Sequence, residues 1–336
     1  MKAVVVERFG PPEALVFRDW PRPEPSPGEV TVDVHAVGLN FPDVLVAAGK
    51  YQTLPPLPFV PGKEFAGIVA AVGEGVTRFK AGDRVVGQLE NGAFAETVRV
   101  SAEHCYPMPA GLSMTRAAAL GLTYQTSWFA LFDRGRLKPG ETVLVTGAGG
   151  GIGVSAMQLA KAAGCRVLAG IGSPDKRDFV LAQGADAVID MSGANLRDNV
   201  RAQVQAATDG HGADVVIENV GGPGFEACLR ALAWDGRLVV VGFAGGEIPS
   251  ARANYILVKH IAVTGIHWSD YLERMPDRVR EVQADLFAMA ADGRIDPPLC
   301  AVVPIEEIAD AMELIVTRKA LGKVVLVTAR GREPSS

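Results

Sequence analysis

The 336-residue sequence predicts an α/β protein of two domains, one built on a doubly wound parallel sheet and the other mainly β. Three observations predict it. Residues 141–173 spell out a complete strand, glycine loop, helix and second strand. From about 118 to 255, short strand candidates at 142–146, 166–169, 187–190, 213–217 and 237–241 alternate with helical spacing, the doubly wound pattern. Before residue 118 the apolar runs are short, alternating and punctuated by Gly and Pro.

The central unit organises the chain. Thr142-Val143-Leu144-Val145-Thr146 is a β-branched run of the kind that forms a buried parallel strand. The glycine cluster Gly147-Ala148-Gly149-Gly150-Gly151-Ile152-Gly153 follows, and then apolar residues at helical spacing (Ile152, Ala156, Leu159, Ala160, Ala163) up to Gly164. Arg166-Val167-Leu168-Ala169 closes the βαβ unit. In the register that ends at Gly153 the fingerprint reads Ala148-x-Gly150-x-x-Gly153, with alanine in the first glycine position. Glycines let backbone amides approach a pyrophosphate, and the helix N-terminus adds donors and a positive dipole end. Ala148, Gly150, Gly151, Ile152 and Gly153 are therefore predicted to contact a dinucleotide.

The tip of the second strand selects the cofactor. A site for NAD places Asp or Glu there to bond the adenosine ribose. This chain has Gly170-Ile171-Gly172-Ser173-Pro174-Asp175-Lys176-Arg177, a neutral tip followed by a hydroxyl and two cations. That arrangement suits a 2′-phosphate and predicts NADPH, with Ser173, Lys176 and Arg177 as contacts. Asp175 can alternatively pair with the cations beside it. The loops after later strands should border the same ligand, which adds Asn219, Gly242 and Phe243.

Composition excludes several classes. A formal net charge of −5 and a hydrophobic content of 48% describe an ordinary soluble chain, with no basic patch for nucleic acid. No apolar run approaches the roughly 20 residues needed to cross a bilayer. The first ten residues, MKAVVVERFG, hold too short an apolar part for a secretory signal and read as a strand. The cysteines 105, 165, 228 and 300 are scattered without a CxxC, which predicts free thiols and a reducing, cytoplasmic setting. His35, His104, His211, His260 and His267 show no metal-ligand spacing.

Three stretches of the β-rich part stand out, Gly38-Leu39-Asn40-Phe41-Pro42-Asp43, Gly49-Lys50-Tyr51 and Pro61-Gly62-Lys63-Glu64-Phe65-Ala66-Gly67. Ala81-Gly82-Asp83-Arg84-Val85, Leu122-Thr123-Tyr124 and the glycine loop join them. On these stretches the chain resembles the zinc-independent quinone oxidoreductase family of the medium-chain dehydrogenase/reductase superfamily along essentially its whole length. The resemblance implies a GroES-like catalytic domain over 1–117 and 256–336 and a Rossmann NADP(H)-binding domain over 118–255. Zinc-dependent relatives carry Cys at the place of Asn40, His at Lys63 and another Cys near Thr123, so no metal ligand is expected here.

It further implies hydride transfer from NADPH to a small electrophilic acceptor, a quinone or a conjugated carbonyl. Reduction of an enal or enoyl-CoA double bond and a non-catalytic NADPH-binding role remain alternatives. Asn40 is expected at the nicotinamide, or as the cap of a turn, and Thr123 near the nicotinamide ribose or as a helix cap. Tyr51 is expected to donate to an acceptor oxygen, or to pack on a proline-rich loop, and Asp43 to fix local loop structure rather than to transfer a proton. Met191 stands where some relatives place a Tyr that helps hold the 2′-phosphate, and Lys323, in a Gly322-Lys323 pair that matches a family stretch close to the cofactor, reads rather as a solvated lysine at a strand start. Residues 254–271 are expected to supply an edge strand that pairs with a second copy in a homodimer, with Trp268 and Tyr271 at the acceptor pocket or in packing.

Overall fold

A computed structural model describes residues 1–332. The chain forms β1 (Lys2–Val5), β2 (Val16–Asp19), β3 (Glu29–Leu39), α1 (Phe41–Ala47), β4 (Glu64–Val72), β5 (Arg84–Gln88), β6 (Thr97–Ser101), β7 (Cys105–Pro107) and α2 (Met114–Ala119). It continues through α3 (Leu122–Trp128), β8 (Thr142–Thr146), α4 (Gly151–Ala162), β9 (Arg166–Ile171), α5 (Arg177–Ala182), β10 (Ala187–Asp190), α6 (Leu196–Ala207), β11 (Ala213–Glu218), α7 (Gly222–Ala231), β12 (Leu232–Val240), α8 (Ala253–Lys259) and β13 (Ala262–Gly265). The last part gives α9 (Trp268–Arg274), α10 (Pro276–Ala291), β14 (Leu299–Pro304), α11 (Ile308–Val316) and β15 (Lys323–Val327).

These elements fall into two compact units. One comprises Met1–Leu122, Ser269–Ala288 and the chain from Pro297 onward; the other comprises Thr123–Trp268 and Met289–Asp296. The chain therefore crosses at Leu122/Thr123, Trp268/Ser269, Ala288/Met289 and Asp296/Pro297, where the sequence reading set two crossings, at 117/118 and 255/256. The later second crossing has a simple cause: β13 pairs in parallel with β12 and extends the parallel sheet, keeping residues 256–268 in that unit. The last four residues of the expected 256–336 segment lie outside the described residues.

The first unit holds a seven-stranded sheet, β14-β15-β3-β4-β5-β7, with β6 also paired to β3. Strand β15 joins it antiparallel to β3, with Val324 opposite Leu39. Alternation of Val30, Val32 and Val34 along β3 turns valines into a core completed by Phe65, Phe94, Val324, Leu326 and, from α11, Ile308 and Met312. Burial at roughly 25 cal/mol per Å² of apolar surface makes this returning segment part of the same core. Register matters for function, because Leu39 leads directly into Asn40 and Val324 follows Lys323.

The second unit is a six-stranded parallel sheet ordered β10-β9-β8-β11-β12-β13. In chain order within the sheet this is 3-2-1-4-5-6, the dinucleotide-binding arrangement, with its direction reversing between β8 and β11. Strand β8 is buried at every residue, which explains its unbroken apolar run. Helix α4 packs closely because position 153 lacks a side chain: a Cβ there would lie 2.5 Å from Ala148 Cα.

Candidate active site

In the parallel-sheet unit, the predicted contacts gather at the C-terminal ends of adjacent strands. The glycine loop follows β8, Asn219 follows β11, and Gly242 with Phe243 follows β12. Asn219 ties the switch point together, its backbone N–H donating to Thr146 Oγ1 (2.8 Å) and its Nδ2 to Thr146 O (2.8 Å). Ala244 N donates to Asn219 O (3.0 Å) and Gly245 N to Val220 O (2.8 Å), which ties the loops after β11 and β12 together. Beneath them Glu218 is fully buried and accepts from Val220 N, Gly221 N and Thr146 Oγ1. Burial pushes its carboxyl up from the ordinary range, against those bonds.

Three features of this crevice fit a dinucleotide. The N-cap of the 12-residue helix α4 is Gly150, which offers no side-chain cap to the first amides of the helix. Asn219 Oδ1 and Thr123 Oγ1 are buried without a hydrogen-bond partner, as polar groups meant for a ligand would be. Thr123 is held in place from behind: Ser155 Oγ donates to its carbonyl (3.1 Å) and shares a 2.6 Å bond with Ser127 Oγ. Ala148 and Gly153 are buried in the loop's base, whereas Gly150, Gly151 and Ile152 are partly exposed along its rim.

After β9 the chain turns away in a short 3-10 segment, Pro174–Lys176. Ser173 Oγ donates to Asp175 Oδ1, so the carboxylate engages the hydroxyl. Arg177 is exposed and has no ion pair among the described residues. Lys176 is half-buried. Met191 lies across from Gly170, its Sδ 2.6 Å from where a Cβ at 170 would sit.

In the β-rich unit, Asn40 caps α1 by position but not by side chain. Asn40 N donates to Asp43 Oδ2 (2.8 Å), the bond that ties the helix's third residue back to its cap position. The Asn40 amide turns inward instead. Its Nδ2 donates to Glu64 Oε1 (2.9 Å) and Gly38 O (3.1 Å), and its Oδ1 accepts from Lys323 Nζ (2.8 Å). Lys323 Nζ also donates to Glu64 Oε1 (2.7 Å) and Leu39 O (3.1 Å). Lys323 is only 3% exposed, which corrects its reading as a solvated strand-start lysine. An ammonium can be buried here because its donors meet a carboxylate, an amide and a carbonyl at once.

Glu64 is the hub of this cluster, and its importance was not legible in the sequence. It is fully buried, and its second oxygen accepts from Leu122 N (2.7 Å). Room for it comes from two glycines: a Cβ at Gly121 would sit 2.5 Å from Glu64 Oε2, and one at Gly38 would collide with Glu64 Oε1 and lie 2.5 Å from Ala118 O. Those glycines were the available signal.

Lys63 is a second buried cation. Its Nζ pairs with Glu90 Oε2 (2.6 Å), donates to Glu90 O (3.2 Å) and lies 5.0 Å from the centroid of the Tyr51 ring. The Tyr51 hydroxyl is pushed up to about 12, by burial first and then by Glu90 and Asp43. Asp43 is 1% exposed and its Oδ1 has no hydrogen-bond partner. Burial pushes its carboxyl up to about 7, opposed by Lys63, the Asn40 N–H bond and Lys323, and reinforced by Glu64. Among the described residues, no group of three or more His, Cys, Asp or Glu could hold a metal ion. Of the two aromatics assigned to the acceptor pocket or packing, Trp268 is buried, its Nε1 donating to Gln125 Oε1 (2.9 Å), and Tyr271 is half-buried.

A β-rich unit and a 3-2-1-4-5-6 sheet with a glycine loop at its switch point together define a dinucleotide-dependent oxidoreductase architecture. The alcohol dehydrogenase GroES-like domain model matches residues 26–110, and the model described as zinc-binding dehydrogenase matches residues 151–286. A protein of Nematostella vectensis described as quinone oxidoreductase-like protein 2 homolog is 38% identical over 333 residues, covering 97% of this chain and 89% of that protein. The structure of Escherichia coli quinone oxidoreductase complexed with NADPH aligns with a TM-score of 0.90 at 29% identity, over 97% of this chain and all of that one (100%). A mycobacterial structure complexed with NADPH aligns with a TM-score of 0.91 at 31% identity, over 97% and 100% of the two chains. The chain belongs to the quinone oxidoreductase family of the medium-chain dehydrogenase/reductase superfamily.

Proposed function

We propose that the protein is an NADPH-dependent, zinc-independent reductase that passes hydride to a quinone or conjugated carbonyl. The observation that carries this reading is the switch point of the sheet, where the start of α4 has no side-chain cap, Asn219 Oδ1 and Thr123 Oγ1 are buried without a partner, and the β9 tip carries no acid. When bound, NADPH supplies a hydride to an electron-poor acceptor. The residues assigned to hold it are Ala148, Gly150, Gly151, Ile152, Gly153, Asn219, Gly242, Phe243 and Thr123, with Ser173, Lys176 and Arg177 at the 2′-phosphate. The relatives complexed with NADPH support the cofactor, and the relative described as a quinone oxidoreductase supports the acceptor class.

Zinc-independence rests on donor chemistry. The places that carry Cys and His in zinc-dependent relatives hold an amide spoken for by Glu64 and Lys323 and an ammonium paired with Glu90. Asn40 serves in this reading by fixing its own loop, since both ends of its amide are occupied within the protein. Tyr51 is the group assigned to donate to the acceptor oxygen. A homodimer through the β13 edge is part of the proposal, supported by the open edge and by exposed Leu257 and Val258 on α8. A cytoplasmic setting is supported by the free cysteines; among the described residues no helix is long and apolar enough to cross a membrane.

The test is NADPH oxidation followed by nicotinamide absorbance, with an ortho-quinone and a short 2-enoyl-CoA in parallel. Turnover of the quinone supports the proposal; turnover of the thioester alone replaces it with a double-bond reductase. Lys176→Ala should weaken NADPH at least about tenfold, the loss of one charge-assisted contact, and leave NADH unchanged. Equal weakening of both cofactors would remove Lys176 from the 2′-phosphate.

A further inference from the structure

Met191 is the first residue after β10, and its backbone N–H donates to the carbonyl of Ile171, the last residue of β9 (2.8 Å). It therefore stands at the C-terminal edge of the parallel sheet, the edge along which open α/β sheets bind their ligands. Its side chain lies across β9. The sulfur is 2.6 Å from where a Cβ on Gly170 would sit, and the terminal methyl is 3.5 Å from where one on Gly224, in the first turn of α7, would sit. The same point on Gly170 is 3.1 Å from Val145 O and 3.4 Å from Thr146 Cα, at the end of β8. Gly170 O in turn accepts from Ala148 N (3.1 Å) in the glycine loop. One thioether thus fills the place of a missing side chain between the tips of β8 and β9 and the start of α7. It is a soft, apolar surface of the kind that packs well on an aromatic ring. Met191 is partly exposed, whereas Met157 and Met312 are fully buried and Met275 is 47% exposed.

We infer that Met191 is an oxidation site whose state sets the affinity for NADPH, with a peroxide as the oxidant. The inference rests on the NADPH site above and not on the identity of the acceptor. In the step, a sulfur lone pair attacks one peroxide oxygen; an S–O bond forms and the O–O bond breaks. The proton of the transferred oxygen passes to the departing hydroxide, which leaves as water. Sulfur gives up two electrons and the peroxide takes them. The product is a polar sulfoxide in place of an apolar thioether, with a strong acceptor oxygen. The sheet atoms nearest that place, Val145 O and Thr146 Cα, offer such an oxygen no N–H or O–H. The new dipole is therefore driven toward the crevice, where the adenosine half of the cofactor is to rest beside the β9 tip. Bound cofactor covers the sulfur, and an oxidised sulfur rejects the cofactor.

The experiment treats the protein with hydrogen peroxide, with and without saturating NADP+, which carries the same adenosine half and is not consumed by the oxidant. Peptide mass spectrometry then reads the gain of one oxygen at each methionine, and calorimetry reads NADPH affinity after the peroxide is removed. Met275 should oxidise in both samples, Met157 and Met312 in neither, and Met191 only where the cofactor is absent. The oxidised protein should bind NADPH about tenfold more weakly, and Met191→Leu, which keeps an apolar side chain of similar size, should hold its affinity through the same treatment. A Met191 that resists peroxide, or oxidises equally with and without NADP+, overturns the inference. So does an oxidised wild type with unchanged affinity, or a Met191→Leu variant that loses affinity as the wild type does. An untreated protein that binds no NADPH sinks the cofactor site itself, and this inference with it. Should Met191→Leu fail to fold, methionine sulfoxide reductase decides: affinity regained as the oxygen leaves Met191 supports the inference, and affinity that stays lost overturns it.

Discussion

Replacing Lys323 with methionine tests whether the buried cluster is the structural keystone of the β-rich unit. The side chain keeps its length and loses the charge. Glu64 is then a fully buried carboxylate with bonds from Asn40 Nδ2 and Leu122 N but no cation, and Asn40 Oδ1 loses its donor. Breaking one member of a buried ion pair costs about 3–5 kcal/mol. The two remaining bonds to Glu64 keep the expected loss toward the lower end. Two compact units make a single melting temperature ambiguous, so the assay is hydrogen exchange resolved by peptide. Exchange over β3, β4 and β15 should accelerate by roughly two to four orders of magnitude where it proceeds by unfolding of this unit, while β8 and β11 stay protected. The double change Glu64→Gln with Lys323→Met should recover most of the loss, because it removes the stranded charge. A Lys323→Met effect below about 1 kcal/mol, the range of an exposed pair, would refute the reasoning. So would a double variant that is no better than the single one.

Two further outcomes follow from the same geometry. Gly153→Ala places a Cβ against rigid backbone 2.5 Å from Ala148 Cα, so NADPH affinity measured by calorimetry should fall at least about tenfold; unchanged affinity would mean the loop relaxes freely. Asp43 also carries a pH signature in stability. Its folded value is raised from 3.8 to about 7, so between those values the native state binds more protons than the unfolded chain, and stability falls as pH rises across that window. The loss is about 4 kcal/mol in full. Asp43→Asn should remove this slope, gaining on wild type in urea midpoint from acid to mildly alkaline pH, and parallel pH curves would contradict it.

How much of this was legible in the sequence depends on how local each requirement is. The glycine loop is legible because its constraint is satisfied within a few residues: Gly153 must be small where the helix meets the turn, and the β-branched run before it must be a covered strand. The edge strand β13 was legible for the same reason, although the unit it belongs to was not, since pairing with β12 is a matter of register. Glu64, Lys63 and Lys323 are the opposite case. A lysine before a valine run reads as solvated, because an isolated ammonium would not be buried. What reverses that reading is a partner 259 positions away in the chain, brought close only when β15 pairs with β3 and β3 with β4. The same distance hides Asp43: its cap position was visible, but its lone unbonded oxygen is a property of the assembled cluster. The buried polar residues of this cluster are therefore explained by one another. Asn40 is an amide because it must both donate to Glu64 and accept from Lys323, and no thiolate could do both.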